Sequence, residues 1–188
     1  YKANRPPMPD ELQQQLPHLW EILDAMNIPV LKKDGVEADD IIGTLAVRAQ
    51  DEGLDTYIVS GDKDFMQLIN ENIFLYAPGT KKSPNPVIYD SKRVEDKWGV
   101  PPEKIIDLLG LMGDSSDNVP GVSGVGEKTA VKLIKKYGSL VGALENADQV
   151  SNKRARTGLQ EGAENARLSQ NLVTIMLDVE INSSLDDF

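Results

Sequence analysis

The chain has 188 residues, 40% hydrophobic and 27% charged, with 20 basic against 30 acidic side chains, one histidine and no cysteine. A chain this long can bury ~70% of its unfolded surface and needs no disulfide or metal staple; without cysteine, thiol catalysis, zinc–thiolate fingers and iron–sulfur ligation are excluded. A lone histidine, His18, argues against a Ser-His-Asp triad, and no apolar run approaches the ~20 residues of a membrane span, so a soluble cytoplasmic protein with no membrane partner is expected.

Leu12, Leu16, Leu19, Leu23 and Met26 recur at spacings of three and four, which predicts an amphipathic helix from Asp10 with a kink at Pro17. A short apolar run, 28–31, leads through Asp34-Gly35 to the clearest helix. There Ala38, Ile41, Ile42, Leu45, Ala46 and Ala49 share one face, and Gly53 closes it. Residues 56–59 read as a strand followed by a short helix near Phe65. Residues 73–76 and 87–89 read as two strands joined by a Pro/Gly/Lys-rich loop. Helices are expected over 91–98, 103–112 and 127–136, and the remainder, including 140–144 and 163–173, reads as helical. Strand–helix alternation in the first half predicts an α/β fold with a mainly parallel sheet flanked by helices, followed by a helical second half. A division near residue 118 gives expected parts of 1–118 and 119–188.

Three acidic clusters punctuate this pattern: Glu37-Ala-Asp39-Asp40 at a helix start, Gly61-Asp62-Lys-Asp64 after a strand, and Gly113-Asp114-Ser-Ser-Asp117-Asn. Singly, each reads as ordinary capping and turn chemistry. The first two, however, are placed beyond the carboxyl ends of expected strands, the edge where parallel sheets bind ligands. Carboxylates converging there repel one another unless cations neutralise them, and hard oxygen-loving ions such as Mg²⁺ or Mn²⁺ are the natural choice. An EF-hand is excluded because the sixth and twelfth loop positions after Asp114 are Val119 and Val125. Two ions held by carboxylates suit phosphodiester hydrolysis, which needs no protein nucleophile. The net charge of −10 argues against nucleic acid, yet setting seven clustered acids aside leaves 23 acids against 20 bases, a surface near neutral.

The segment Gly121-Val-Ser-Gly124-Val-Gly126-Glu-Lys128-Thr129 resembles a P-loop but has Glu127 between the last glycine and the lysine, and no apolar strand before it. It reads instead as a glycine hairpin opening a helix whose N–H groups can hold a phosphate. Lys128, Lys132 and Lys135 lie on one face of that helix, which suits gripping a DNA backbone.

Taken together, Tyr1-Lys2-Ala-Asn-Arg5-Pro-Pro-Met-Pro, Val36-Glu37-Ala-Asp39-Asp40, Gly61-Asp62-Lys-Asp64 and the long run from Leu111 through Asp114, Asp117 and Gly121 to Thr129 resemble the 5′-nuclease (flap endonuclease) domain of bacterial DNA polymerases. The resemblance implies a parallel-sheet α/β nuclease core with a remnant of a helical arch, followed by a helix–turns–helix DNA-binding subdomain. It implies that Glu37, Asp39, Asp40, Asp62, Asp64, Asp114 and Asp117 bind two Mg²⁺ or Mn²⁺ ions, that Lys2 and Arg5 act at the scissile phosphate, and that Tyr1 stacks there. It also implies that Gly121, Gly124, Gly126, Lys128, Thr129 and Lys132 hold DNA, with K⁺ at the hairpin. The implied activity is 5′→3′ exonuclease and flap endonuclease on DNA with a free 5′ end or flap, in replication and repair. The chain would act as a monomer, with polymerase domains downstream in the same parent chain. It opens at Tyr1 without Met and is expected to be a piece of a longer protein whose upstream strands carry further metal-binding aspartates. Two rivals remain at this stage: a non-catalytic DNA-binding fragment and a P-loop ATPase.

Overall fold

A computed structural model of the chain describes residues 2–81 and 83–185. Where one kinked helix is expected there are two, α1 (Asp10–Gln13) and α2 (Leu16–Ala25). The break precedes Pro17, which therefore sits in the first turn of α2, where its missing N–H removes no helical hydrogen bond. Neither helix buries a residue, and the apolar spacing leaves Leu12 and Met26 exposed. The run 28–31 also departs from expectation: it joins no ladder among the described residues, and Ile28 and Val30 are exposed. The first acidic cluster thus follows an irregular segment rather than a strand.

Helix α3 (Ala38–Asp51) keeps its expected limits, ending before Gly53 in the left-handed region. Strand β1 (Thr56–Val59) pairs parallel with β2 (Ile73–Ala77). Between them lies a tight 3-10 helix, Lys63–Leu68, which forms the turn after β1. Strand β3 (Val87–Tyr89) returns antiparallel on β2, so the sheet is parallel where the strand–helix alternation predicts it and antiparallel at the hairpin. Ile58, Ile73 and Leu75 point to the face covered by α3, where they are buried with Ala46. On the opposite face Tyr57 stacks on Phe74, with ring centroids 5.0 Å apart.

Asp90 caps α4 (Ser91–Trp98) by accepting the Arg93 N–H, and Gly99 ends it. The apolar α5 (Ile105–Met112) is the pivot of the helical half, for Leu108, Leu109 and Leu111 are each at most 1% exposed. Around it pack α6 (Glu127–Tyr137), α7 (Leu140–Glu145) and α9 (Ala163–Val173), with α8 (Lys153–Glu161) behind. Asp107, though buried, is not stranded: its Oδ1 accepts the Leu140 N–H at 3.1 Å and Gln170 Nε2 at 3.0 Å, tying α5 to α7 and α9. One continuous apolar core runs from Ala46 to Ile175 through both halves. Among the described residues no helix is long and apolar enough to cross a membrane.

Candidate functional site

Two turns aim the acids. At the end of β1, Ser60 Oγ accepts the Asp62 N–H at 3.0 Å, and Asp62 Oδ1 accepts the Asp64 N–H at 3.0 Å. The side chain of Asp62 thus caps the 3-10 helix that carries Asp64. At the end of α5, Asp114 and Val119 exchange both backbone hydrogen bonds, at 2.7 and 3.0 Å, closing a turn that contains Asp117. As a result one carboxylate oxygen from each of Asp64, Asp114 and Asp117 lies within 4.8 Å of the other two, and all three residues are buried.

Electrostatics tie the other acids to this group. Burial first, and then the charge of Asp62, pushes the Asp64 carboxyl from its ordinary 3.8 up to about 7, although Lys63 opposes the shift. Asp39 is raised by burial and by Asp62, with Lys2 opposing, which places Asp62 electrically between the two clusters. Asp114 goes the other way. Burial alone would raise it, but hydrogen bonds from Lys63 and from the Ser116 N–H prevail and hold it below its ordinary value. Asp64 Oδ1 is buried with no hydrogen-bond partner, an arrangement that is costly unless a cation supplies the missing contact. An all-oxygen donor set around that orphaned atom fits a hard divalent ion.

Glu37 and Asp39 flank this centre at the start of α3, where Glu37 is half exposed. Asp40 differs from them in that both its oxygens are engaged by backbone. Oδ2 accepts the Glu37 N–H at 3.0 Å and Oδ1 accepts the Met176 N–H at 2.9 Å. Its carboxylate builds the wall of the site. That wall is a segment the sequence did not single out. Residues 171–176 line an open cleft of ≈520 Å³ together with Glu37, Asp39, Asp40 and Asp64. Gln67 fastens the segment, donating to the Asp64 and Val173 carbonyls and accepting the Ile175 N–H. Farther along α3, Thr44 accepts the Val179 N–H, and Arg48 donates to the carbonyls of Val179 and Ile181. Only the four-residue spacing of Asp40, Thr44 and Arg48 hints at this in the sequence.

Cations meet the acids from two directions. The N-terminal segment docks on the 114–119 turn through Lys2 N–H to the Asp117 carbonyl and Asn4 Nδ2 to the Ser115 carbonyl. Lys2 Nζ reaches Glu37 at 2.8 Å, and Arg5 pairs with Asp117. Tyr1 lies outside the described residues. Lys63, missed in the sequence although it stands between two of the chosen acids, reaches Asp114 Oδ2 at 2.6 Å.

The glycine hairpin follows directly on this turn. Gly121 and Gly124 take left-handed backbone conformations, and Gly126 begins α6 without a side-chain cap, leaving backbone N–H groups for an anion. Lys128, Lys132 and Lys135 are exposed on α6, while Thr129 is half-buried. Gly121 N–H donates to the fully buried Ser169 Oγ of α9 at 2.8 Å, and Gly124 lies against the Arg154 side chain of α8.

Residues 1–99 match the family described as 5′-3′ exonuclease, N-terminal resolvase-like domain, and residues 100–188 match 5′-3′ exonuclease, C-terminal SAM fold. The chain is 45% identical to DNA polymerase I of Bacillus subtilis over 98% of its own length and 21% of that protein. It is 41% identical to a 5′-3′ exonuclease of Aquifex aeolicus, over all of this chain and 62% of that one. Its fold is similar to that of the bacteriophage T5 5′-exonuclease with bound zinc (TM-score 0.72, 21% identity, 92% of this chain and 63% of that one). It is also similar to the catalytic core of Rad2 in complex with DNA substrate (TM-score 0.56, 16% identity, 96% and 60%). The chain spans about a fifth of the length of the DNA polymerases it matches.

Proposed function

This chain belongs to the 5′-3′ exonuclease family, and from that membership we propose that it forms the carboxylate centre and DNA grip of a structure-selective 5′→3′ exonuclease and flap endonuclease. The observation that carries the reading is the convergence of the Asp64, Asp114 and Asp117 carboxylates, with a buried Asp64 oxygen left without a hydrogen-bond partner. Glu37, Asp39 and Asp62 complete a ligand set for two Mg²⁺ or Mn²⁺ ions, and Asp40 holds the start of α3 in place beside them. Such ions would acidify a water and neutralise the phosphodiester, chemistry that needs no protein nucleophile and so suits a chain with no cysteine and one histidine.

The chain's own residues do the rest. Lys2 and Arg5, held over the 114–119 turn, bring positive charge to the phosphate. The hairpin around Gly121, Gly124 and Gly126 holds the duplex backbone, its carbonyls would hold a K⁺ ion, and Lys128, Thr129 and Lys132 extend that grip without reading sequence. The substrate is DNA with a 5′ flap or free 5′ end, and the protein acts as a monomer with polymerase domains following in the parent chain, as in the relatives that carry them.

End-labelled 5′-flap DNA tests this, incubated with Mg²⁺ or Mn²⁺ against EDTA and with Asp114→Asn alongside. Cutting near the flap junction that needs metal and disappears in the variant is the expected result. Duplex binding without cutting would reduce this chain to a DNA-holding unit, and neither binding nor cutting by folded chain would overturn the reading altogether.

A further inference from the structure

Lys63 stands out among the cations at the centre. Lys2 and Arg5 arrive on the N-terminal segment, whereas Lys63 lies in the same 3-10 helix as Asp64, directly between Asp62 and Asp64 in the chain. Its backbone is therefore held by the same turn that places the two acids. Its Nζ lies 2.6 Å from Asp114 Oδ2, and its side chain is 29% exposed. The second oxygen of Asp114 accepts the Ser116 N–H at 2.8 Å. Both oxygens of this carboxylate are therefore spoken for within the protein, one by a full positive charge.

We propose that Lys63 is a fixed counter-charge built into the metal centre, one that shares Asp114 with the bound ion and sets how strongly the Asp64–Asp114–Asp117 group takes ions of different charge. The inference rests on the reading of that group as a metal centre.

An ammonium at this distance has two opposed effects. It orients Asp114, which favours binding, and it repels any cation brought to the same carboxylate, which weakens binding. The surrounding geometry decides between them. Asp114 is already fixed by the Ser116 N–H and by the paired backbone bonds to Val119, so its orientation survives the loss of Lys63. The repulsion does not survive, because it is the lysine's charge. Removing that charge strengthens binding, and Coulomb's law makes the gain greater for a trivalent than for a divalent ion. Lys63 thus biases the centre against higher-charged ions.

The test is to titrate the chain with Mn²⁺, followed by electron paramagnetic resonance, and with Tb³⁺, followed by luminescence. The same titrations are run on Lys63→Met, Lys63→Gln, Lys63→Arg and Asp114→Asn. Circular dichroism establishes that each variant is folded, and Lys63→Gln stands in should Lys63→Met not fold. The neutral variants are expected to bind Mn²⁺ roughly ten-fold more tightly and Tb³⁺ more tightly still, while Lys63→Arg stays near the parent. Unchanged or weaker binding in the neutral variants, or equal gains for the two ions, would overturn the proposal. Ion binding by the parent that is indifferent to Asp114→Asn would instead overturn the metal-centre reading, and the role of Lys63 with it.

Discussion

Asp64→Asn is expected to abolish divalent-ion binding at the carboxylate group and, in EDTA at pH 8, to make the chain more stable rather than less. Burial and the neighbouring Asp62 raise the Asp64 carboxyl from 3.8 to about 7. Between those values the native chain holds a proton that the unfolded chain has released. The sign follows: stability contributed by this protonated group is complete below about pH 4, declines as the pH rises towards 7, and is absent above it. At ~1.4 kcal/mol per unit the whole effect is on the order of 4 kcal/mol. Asp39, also raised, adds in the same direction, whereas the lowered Asp114 acts only at lower pH, where its contribution is lost as it protonates.

An asparagine at residue 64 carries no charge to bury, and its amide N–H can donate to the acids that face it. Thermal melts in EDTA should therefore show the parent losing stability from pH 5 to pH 8 while Asp64→Asn changes less, so that the variant melts higher at pH 8. Each kcal/mol corresponds to about 2–4 °C for a chain of this size. Metal affinity moves oppositely. Below about pH 7 an ion must displace the Asp64 proton, so parent affinity should fall by up to about ten-fold per pH unit. A parent chain that melts equally at both pH values, or that binds Mn²⁺ equally at pH 6 and 8, would show that Asp64 does not hold a buried charge at the centre.

The acids were legible in the sequence because metal chemistry needs particular residue types, and those types stand out beside strand ends and glycine turns. Asp62, Asp64, Asp114 and Asp117 could be placed from such local signals, since each turn is closed by bonds between near neighbours. The wall of the cleft could not. Gln67, Thr44 and Arg48 hold the backbone of 173–181, and bonds to backbone leave no mark on the partner's residue types. The exposed apolar faces of α2 and of 28–31 were misleading for a related reason. Periodicity shows which side of an element is apolar but not what covers it, and among the described residues no helix or strand buries the face of α2. Lys63 was overlooked because a lysine between acids reads as ordinary charge alternation until its contact with Asp114 is seen.

Gly121→Ala is expected to destabilise the chain by about 3–5 kcal/mol, a loss large for a single methyl group. The residue adopts φ +62°, a region where a side chain meets the backbone's own carbonyl. A Cβ there would also lie 2.4 Å from the Gly113 nitrogen and 2.6 Å from the Met112 carbonyl carbon. These are backbone atoms at the end of α5, and no rotamer change moves them aside. Relief requires pushing the hairpin away from α5, which pulls the Gly121 N–H off the buried Ser169 hydroxyl and leaves both unsatisfied. Gly126→Ala supplies the contrast within the same hairpin, since no atom lies within 4 Å of its Cβ position and its φ is ordinary. As the helix N-cap, where alanine is poorer than glycine, it should cost no more than ~1 kcal/mol. Urea unfolding of the two variants tests the argument, and equal losses would show that the approach of Gly121 to Gly113 constrains nothing. The consequence reaches the proposed function, because Gly113 immediately precedes Asp114 and the same contact joins the glycine hairpin to the turn that carries Asp114 and Asp117. A folded remnant of Gly121→Ala should therefore lose affinity for duplex DNA and for Mn²⁺ together, whereas Gly126→Ala leaves ion binding at the Asp64–Asp114–Asp117 group untouched.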